Sequence, residues 1–169
     1  MNRPLPGDYI PFQTTYLNTV GDGDIVEILN QQYNSLSVFL KSIPEDKALY
    51  AYAEGKWTVN EAIGHLIDTE RIMAYRLLRF SRRDTAALPG FEQDDYVANA
   101  HFNQMKMSDL IDEFLAVRKA NLYLFNSLTE EQKTLSGTSS GHRVTVNAFL
   151  YIIAGHANHH VNILKEHYL

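Results

Sequence analysis

The sequence predicts an all-α protein, a four-helix bundle with long connections. Three observations carry this. Four segments place apolar residues at helical spacing, two of them open on cap sequences, and no stretch alternates convincingly as a strand.

The first helix opens at Asp24 with Glu27 three residues on, the acidic relative of a capping box. Ile25, Ile28, Leu29, Leu36, Phe39, Leu40 and Ile43 form its stripe, and Pro44 closes it. The second opens at Thr58-Val59-Asn60-Glu61, the true S/T-x-x-E spacing, in which hydroxyl and carboxylate each satisfy one orphan amide. Ile63, Leu66, Ile67, Met73, Ala74, Leu77 and Leu78 then face one way until about Ser81. A third helix runs from near Ser108 to about Leu128 on Ile111, Phe114, Leu115, Leu122 and Phe125. A fourth runs from Thr145 nearly to the C-terminus on Val146, Phe149, Leu150, Ile153, Ala157 and Leu164.

The connections, roughly 44–57, 82–107 and 129–144, exceed the ~2–8 residues of simple antiparallel bundles, so plain up-down-up-down order is not assumed. The middle one holds Leu88-Pro89-Gly90-Phe91 and Gln93-Asp94-Asp95-Tyr96, which suits a short helix or a lid over a site. Trp57-Thr58-Val59-Asn60 and Val144-Thr145-Val146-Asn147 echo one another, each opening a helix that carries Gly-His. Two good helix starts resembling each other explains that equally well.

At 169 residues the chain matches one domain, 1–169. Hydrophobic residues at 45% and charged residues at 21% exclude intrinsic disorder, and no apolar run reaches the length of a membrane span. A net charge of −5 argues against a nucleic-acid partner. The start lacks the apolar core of a secretory signal and there is no cysteine, so a cytoplasmic location is expected. Without cysteine, any metal must be held by nitrogen and oxygen.

Three of the seven histidines fall in Gly155-His156-Ala157-Asn158-His159-His160. Phe149, Ile153, His156, His160 and Leu164 step by 4, 3, 4 and 4, which puts His156 and His160 on the apolar face. His159 turns toward the edge of that stripe. Two inward imidazoles at i, i+4 can ligate one metal, with His65 of the second helix as the natural third ligand. The alternative is a set of partly buried histidines satisfied by Asn158, Asn162 or backbone. Three neutral ligands would leave the ion positively charged with positions open, and zinc, nickel or copper would all suit them.

Arg118 and Glu70 also fall on inward faces, where a buried ion pair would satisfy both. Arg118 is alternatively a receptor for a substrate carboxylate. Asp68, three residues after His65, suits the role of a ligand-orienting acid, or is an ordinary surface acid.

The run from Lys56-Trp57-Thr58 to Asp68-Thr69-Glu70-Arg71 resembles the second helix of the DinB/YfiT-like family. Leu88-Pro89-Gly90-Phe91-Glu92-Gln93-Asp94-Asp95-Tyr96-Val97 resembles the linker of its DinB_2 branch, and Gly155-His156-Ala157-Asn158-His159-His160 its last-helix signature. The resemblance implies a four-helix bundle, a divalent metal on His65, His156 and His160, and a homodimer. Characterised members include enzymes that use a low-molecular-weight thiol, such as bacillithiol or mycothiol, and a thiol-dependent maleylpyruvate isomerase. Others carry only the label of candidate metal-dependent hydrolase.

The leading expectation is therefore a metal-dependent enzyme, with zinc or nickel, acting on a small-molecule substrate by S-transfer from a thiol cosubstrate. A hydrolase using activated water is the alternative, with Asp68 or Glu70 as general base. A non-catalytic metal- or ligand-binding bundle is the third reading.

Overall fold

Residues 2–169 are described by the computed structural model. Among them run α1 (Thr14–Leu17), α2 (Ile25–Lys41), α3 (Val59–Ser81), α4 (Gln93–Ala100), α5 (Met107–Asn126), α6 (Glu130–Thr134) and α7 (Val146–His167). Strands β1 (Ser136–Ser139) and β2 (His142–Thr145) lie between α6 and α7. The fold is all-α apart from this hairpin.

Local chemistry sets the helix starts. Asp24 Oδ1 accepts from the amides of Val26 and Glu27 at 2.9 and 3.1 Å, ahead of α2. Thr58 makes the full reciprocal box: its Oγ1 accepts from Glu61 N at 3.1 Å, and Glu61 Oε2 accepts from Thr58 N at 2.8 Å. Thr145 Oγ1 accepts from Ala148 N at 3.0 Å at the head of α7. The third long helix starts at Met107, without a side-chain cap, and stops at Asn126.

α2 packs on α5 and α7, and α3 packs on the same two. Consecutive long helices α2 and α3 therefore sit across the bundle from each other, which only long connections permit. The apolar faces are those the sequence outlined, with one correction: Leu78, placed inward by spacing, is 38% exposed.

The bundle has two apolar cores rather than one. The first gathers Ile25 and Leu29, Met73, Ala74, Leu77 and Phe80, Leu122 and Phe125, and the apolar residues from Val146 to Ala154. The second gathers Leu36 and Leu40, Val59, Ile63, Leu66 and Ile67, Met107, Leu110, Ile111, Phe114 and Leu115, and Ala157, Val161 and Leu164. Between them each long helix contributes buried polar side chains: Gln32, Thr69 and Glu70, Arg118, and His156. This layer positions the site.

The hairpin overturns the expectation of no strand. Its register pairs Ser139 with His142, leaving a two-residue loop, Ser140-Gly141, with φ of 51° and 79°. Positive φ at both central residues is the type I′ turn, whose twist suits a hairpin. Leu88 joins alongside: its amide donates to Thr138 O and its carbonyl accepts from Ser140 N, both at 2.9 Å. The 82–107 connection is thereby pinned to the bundle, and it holds the short helix α4. Among the described residues no helix is long and apolar enough to cross a membrane.

Candidate metal centre

His65 from α3 and His156 and His160 from α7 converge between the two cores. One ring nitrogen from each lies within 4.8 Å of the other two, and all three residues are buried. His65 Nε2 and His156 Nε2 are 3.0 Å apart. The two glycines before these histidines let neighbouring segments pack tightly against α3 and α7. A Cβ on Gly155 would strike the Tyr16 carbonyl, and one on Gly64 would strike the Phe102 ring.

Aromatic rings wall the cluster. Trp57 lies 4.7 Å from the His65 ring and stacks toward His160 at 6.5 Å. Tyr16 meets His156 and His159 edge-on, each at 5.3 Å. Thr69 Oγ1 is 3.5 Å from His65 Nε2.

Burial holds the imidazoles neutral. It pushes the His65 pKa down to about 4 and that of His160 to about 3, with the neighbouring rings adding to each shift. His156 is held well below its ordinary value by burial first, then by His160, His65, His159 and the Arg118 guanidinium. Neutral imidazole is the ligating form. A tetrahedral ion with Zn–N bonds of about 2.0–2.1 Å sets ligand nitrogens roughly 3.3 Å apart, close to the separation of His65 and His156. The donor set fits a divalent ion.

A cavity of about 600 Å³ opens on His65 and His156. Tyr16, Thr69, Met73, Arg76 and Phe91 are among its walls. A second cavity of about 300 Å³ reaches His160 past Trp57, and Asp94 lines both.

The sequence profile of the DinB superfamily matches residues 28–164. The chain belongs to the DinB superfamily. A relative from Oceanobacillus iheyensis, named as a candidate metal-dependent hydrolase, is 24% identical over 146 residues, covering 84% of each chain. YfiT from Bacillus subtilis, described as a candidate metal-dependent hydrolase with an unusual four-helix bundle topology, superposes with a TM-score of 0.73. It is 15% identical, over 98% of this chain and 90% of its own. A mycothiol-dependent maleylpyruvate isomerase superposes at 0.69 with 11% identity, over 86% of this chain and 61% of its own. Both likenesses are of fold.

Within this DinB chain the three acids and bases expected to support the histidines stand elsewhere. Arg118 is 0% exposed. Its Nε and one terminal nitrogen donate to Glu70 Oε1 and Oε2 at 2.7 and 2.8 Å, and the other donates to Gln32 Oε1 at 2.6 Å. Asn121 also donates to Glu70 at 3.1 Å. Neither Arg118 nor Glu70 lines the cavity, so the ion-pair reading of them is the one this geometry fits. Arg118 is not placed to meet a substrate, nor Glu70 to act as a base. Asp68 is half-buried outside the cavity, its pKa raised by burial, with Arg71 and Glu113 as its charged neighbours.

Gln32 extends the network: its Nε2 donates to Ala154 O and Asn158 Oδ1 at 2.8 and 2.7 Å. Asn158 then donates to Thr19 O at 3.0 Å. These bonds fix α7 in rotation about its axis beside His156.

Sequence reasoning passed over Tyr16, Trp57, Thr69, Gln32 and Arg76 as site residues. Two left a signal. His65, Thr69, Met73 and Arg76 step by 4, 4 and 3 along α3, and Gln32 interrupts the stripe between Leu29 and Leu36.

Proposed function

We propose that this protein is a metal-dependent enzyme acting on small molecules, with its divalent ion held by His65, His156 and His160. The carrying observation is that three neutral, buried imidazoles from two helices meet at the end of a cavity sized for an organic ligand. A structural site would be closed to ligands, whereas this one has a cavity on its flank.

When bound, a divalent ion supplies Lewis acidity, lowering the pKa of an oxygen or sulfur nucleophile that joins it. The chain's own residues do the rest. Trp57 packs on the His65 and His160 rings and Tyr16 on the His156 ring, which holds the imidazoles in place. Thr69 presents a hydroxyl to the cavity beside His65 Nε2. The Glu70–Arg118–Gln32 network keeps the helices in register without entering the cavity.

Thiol-dependent transfer to a small electrophile is the reading this geometry favours. The cavity has room for two reactants, and its only carboxylates, Glu92 and Asp94, belong to exposed residues. Hydrolysis wants a base held beside the attacking water, and neither Asp68 nor Glu70 is there. Asp94, which lines both cavities, is the observation that favours the hydrolase alternative.

The deciding experiment loads the protein with zinc or nickel and screens low-molecular-weight thiols with a chromogenic electrophile beside p-nitrophenyl esters. Metal-dependent thiol conjugation that His65→Ala abolishes supports transfer. Ester cleavage without thiol, lost in Asp94→Asn, assigns the hydrolase. Neither activity, with metal bound, leaves a metal-holding bundle.

A further inference from the structure

Arg76 is the unusual residue of the cavity. It is 5% exposed, yet lines the same wall as His65 and Thr69. A buried guanidinium ordinarily has a carboxylate, as Arg118 has Glu70. Among the described residues Arg76 has none. One terminal nitrogen donates to Pro89 O at 2.7 Å, the other approaches Met73 Sδ at 3.8 Å, and the fork sits 5.7 Å over the Phe91 ring. Within the protein those contacts engage two of its five N–H donors, and burial lowers its pKa, with the Tyr96 hydroxyl group opposing the shift.

We propose that Arg76 is the anion-recognition residue of this cavity, and that the molecule bound there carries a carboxylate. Arg76 follows Met73 at i+3 on the same helix face, and the His65–Arg76 path along α3 is about 16 Å between Cα atoms. The reacting end of the ligand therefore lies at the histidines and the carboxylate down-helix at Arg76, with Phe91 and Met73 against its apolar body. One guanidinium balances one negative charge. Glu92 and Asp94, exposed residues that line the same cavity, oppose a second, which favours a carboxylate monoanion over a phosphate dianion. A role confined to anchoring the Pro89 loop would need the Pro89 bond alone and would not require this side chain to line the cavity.

The proposal rests on reading this cavity as the place where a small molecule meets the histidines, so its test separates the two. Calorimetric titration with 3-phenylpropionate and its neutral isostere 3-phenylpropionamide is run on metal-free and zinc-loaded protein. The acid is expected to bind about ten-fold more tightly than the amide in both forms, the scale of a charge-assisted hydrogen bond. Arg76→Gln should bring the two ligands to within about two-fold, and Arg76→Lys, which keeps the charge without the fork, should retain part of the preference. Melting temperatures taken alongside separate loss of the loop anchor from loss of the anion site, and Arg76→Lys carries the test if Arg76→Gln does not fold. Equal binding of acid and amide by the wild type overturns the proposal, as does a preference that appears only with zinc or survives both variants. An Arg76-dependent preference in a protein that binds no zinc sustains it while removing the metal-dependent reading.

Discussion

His65 Nε2 and His156 Nε2 face each other at 3.0 Å although 91 residues separate them in sequence. Each is buried, each follows a glycine, and each is held where charging it is costly. The pair occupies a polar layer between two apolar cores, beside a second buried set built on Arg118 and Glu70. One layer thus contains two solutions to burying nitrogen: an ion pair satisfied within the chain, and three neutral imidazoles grouped closely enough to share a cation.

Arg118→Ala leaves the Glu70 carboxylate buried with Asn121 as its remaining donor. Breaking such a pair costs roughly 3–5 kcal/mol, and the melting temperature of the metal-free protein should fall accordingly. The double change Glu70→Met with Arg118→Met should recover part of the loss, because it removes the stranded charge. A melt unchanged in Arg118→Ala would contradict the structural role.

Acid should unfold the metal-free protein early. His65 and His160 have folded pKa values of about 4 and 3, below the unfolded value near 6.5. The unfolded chain therefore binds more protons below pH 6.5, and stability falls with pH through that window. The slope is about 1.4 kcal/mol per unit for each histidine, and it ends near each folded value. Denaturant unfolding between pH 7 and 4 measures it, and His65→Gln should flatten the slope by about one proton. A slope the same in wild type and variant would place the acid sensitivity elsewhere.

Gly155→Ala puts a methyl group into the Tyr16 carbonyl, a backbone atom that cannot turn aside. Overpacking of this kind costs about 1–3 kcal/mol, against roughly 1 kcal/mol gained in helix propensity, so a net loss is expected. Since Tyr16 also packs on His156, zinc affinity should weaken in step with the melt. A stabilised variant would show that α1 and α7 are not held this close.

His156→Ala should weaken zinc binding by orders of magnitude, while His101→Ala should not. His101 stands in the left-handed position between α4 and the Phe102–Gln104 turn, away from the cluster. Equal affinities in the two variants would reject the site.

Much of this architecture was written in local signals. Asp24, Thr58 and Thr145 announce their helices because a cap is a matter of three or four consecutive residues. His156 and His160 were legible because a stripe step of four is local too, and His65 because it adjoins one. The hairpin was not, since Ser136-Gly137-Thr138-Ser139 offers no apolar alternation and its turn depends on Ser140 accepting positive φ. Tyr16 reaches the histidines from α1 and Trp57 from just ahead of the Thr58 cap of α3, and no stripe spacing connects them to the cluster. Asp68 shares the periodicity of His65, but its charged neighbours are Arg71 on the same helix and the like-charged Glu113 on α5, and the second is not legible from the spacing of one helix.

The central claim is that the three histidines hold one divalent ion, and elemental mass spectrometry of purified, untagged protein tests it most directly. Wild type is compared with His160→Ala after incubation with zinc and nickel and removal of the excess. Near one metal ion per chain in wild type, lost in the variant, is the predicted result. A wild type that retains no metal, or a variant that retains as much, would contradict the account.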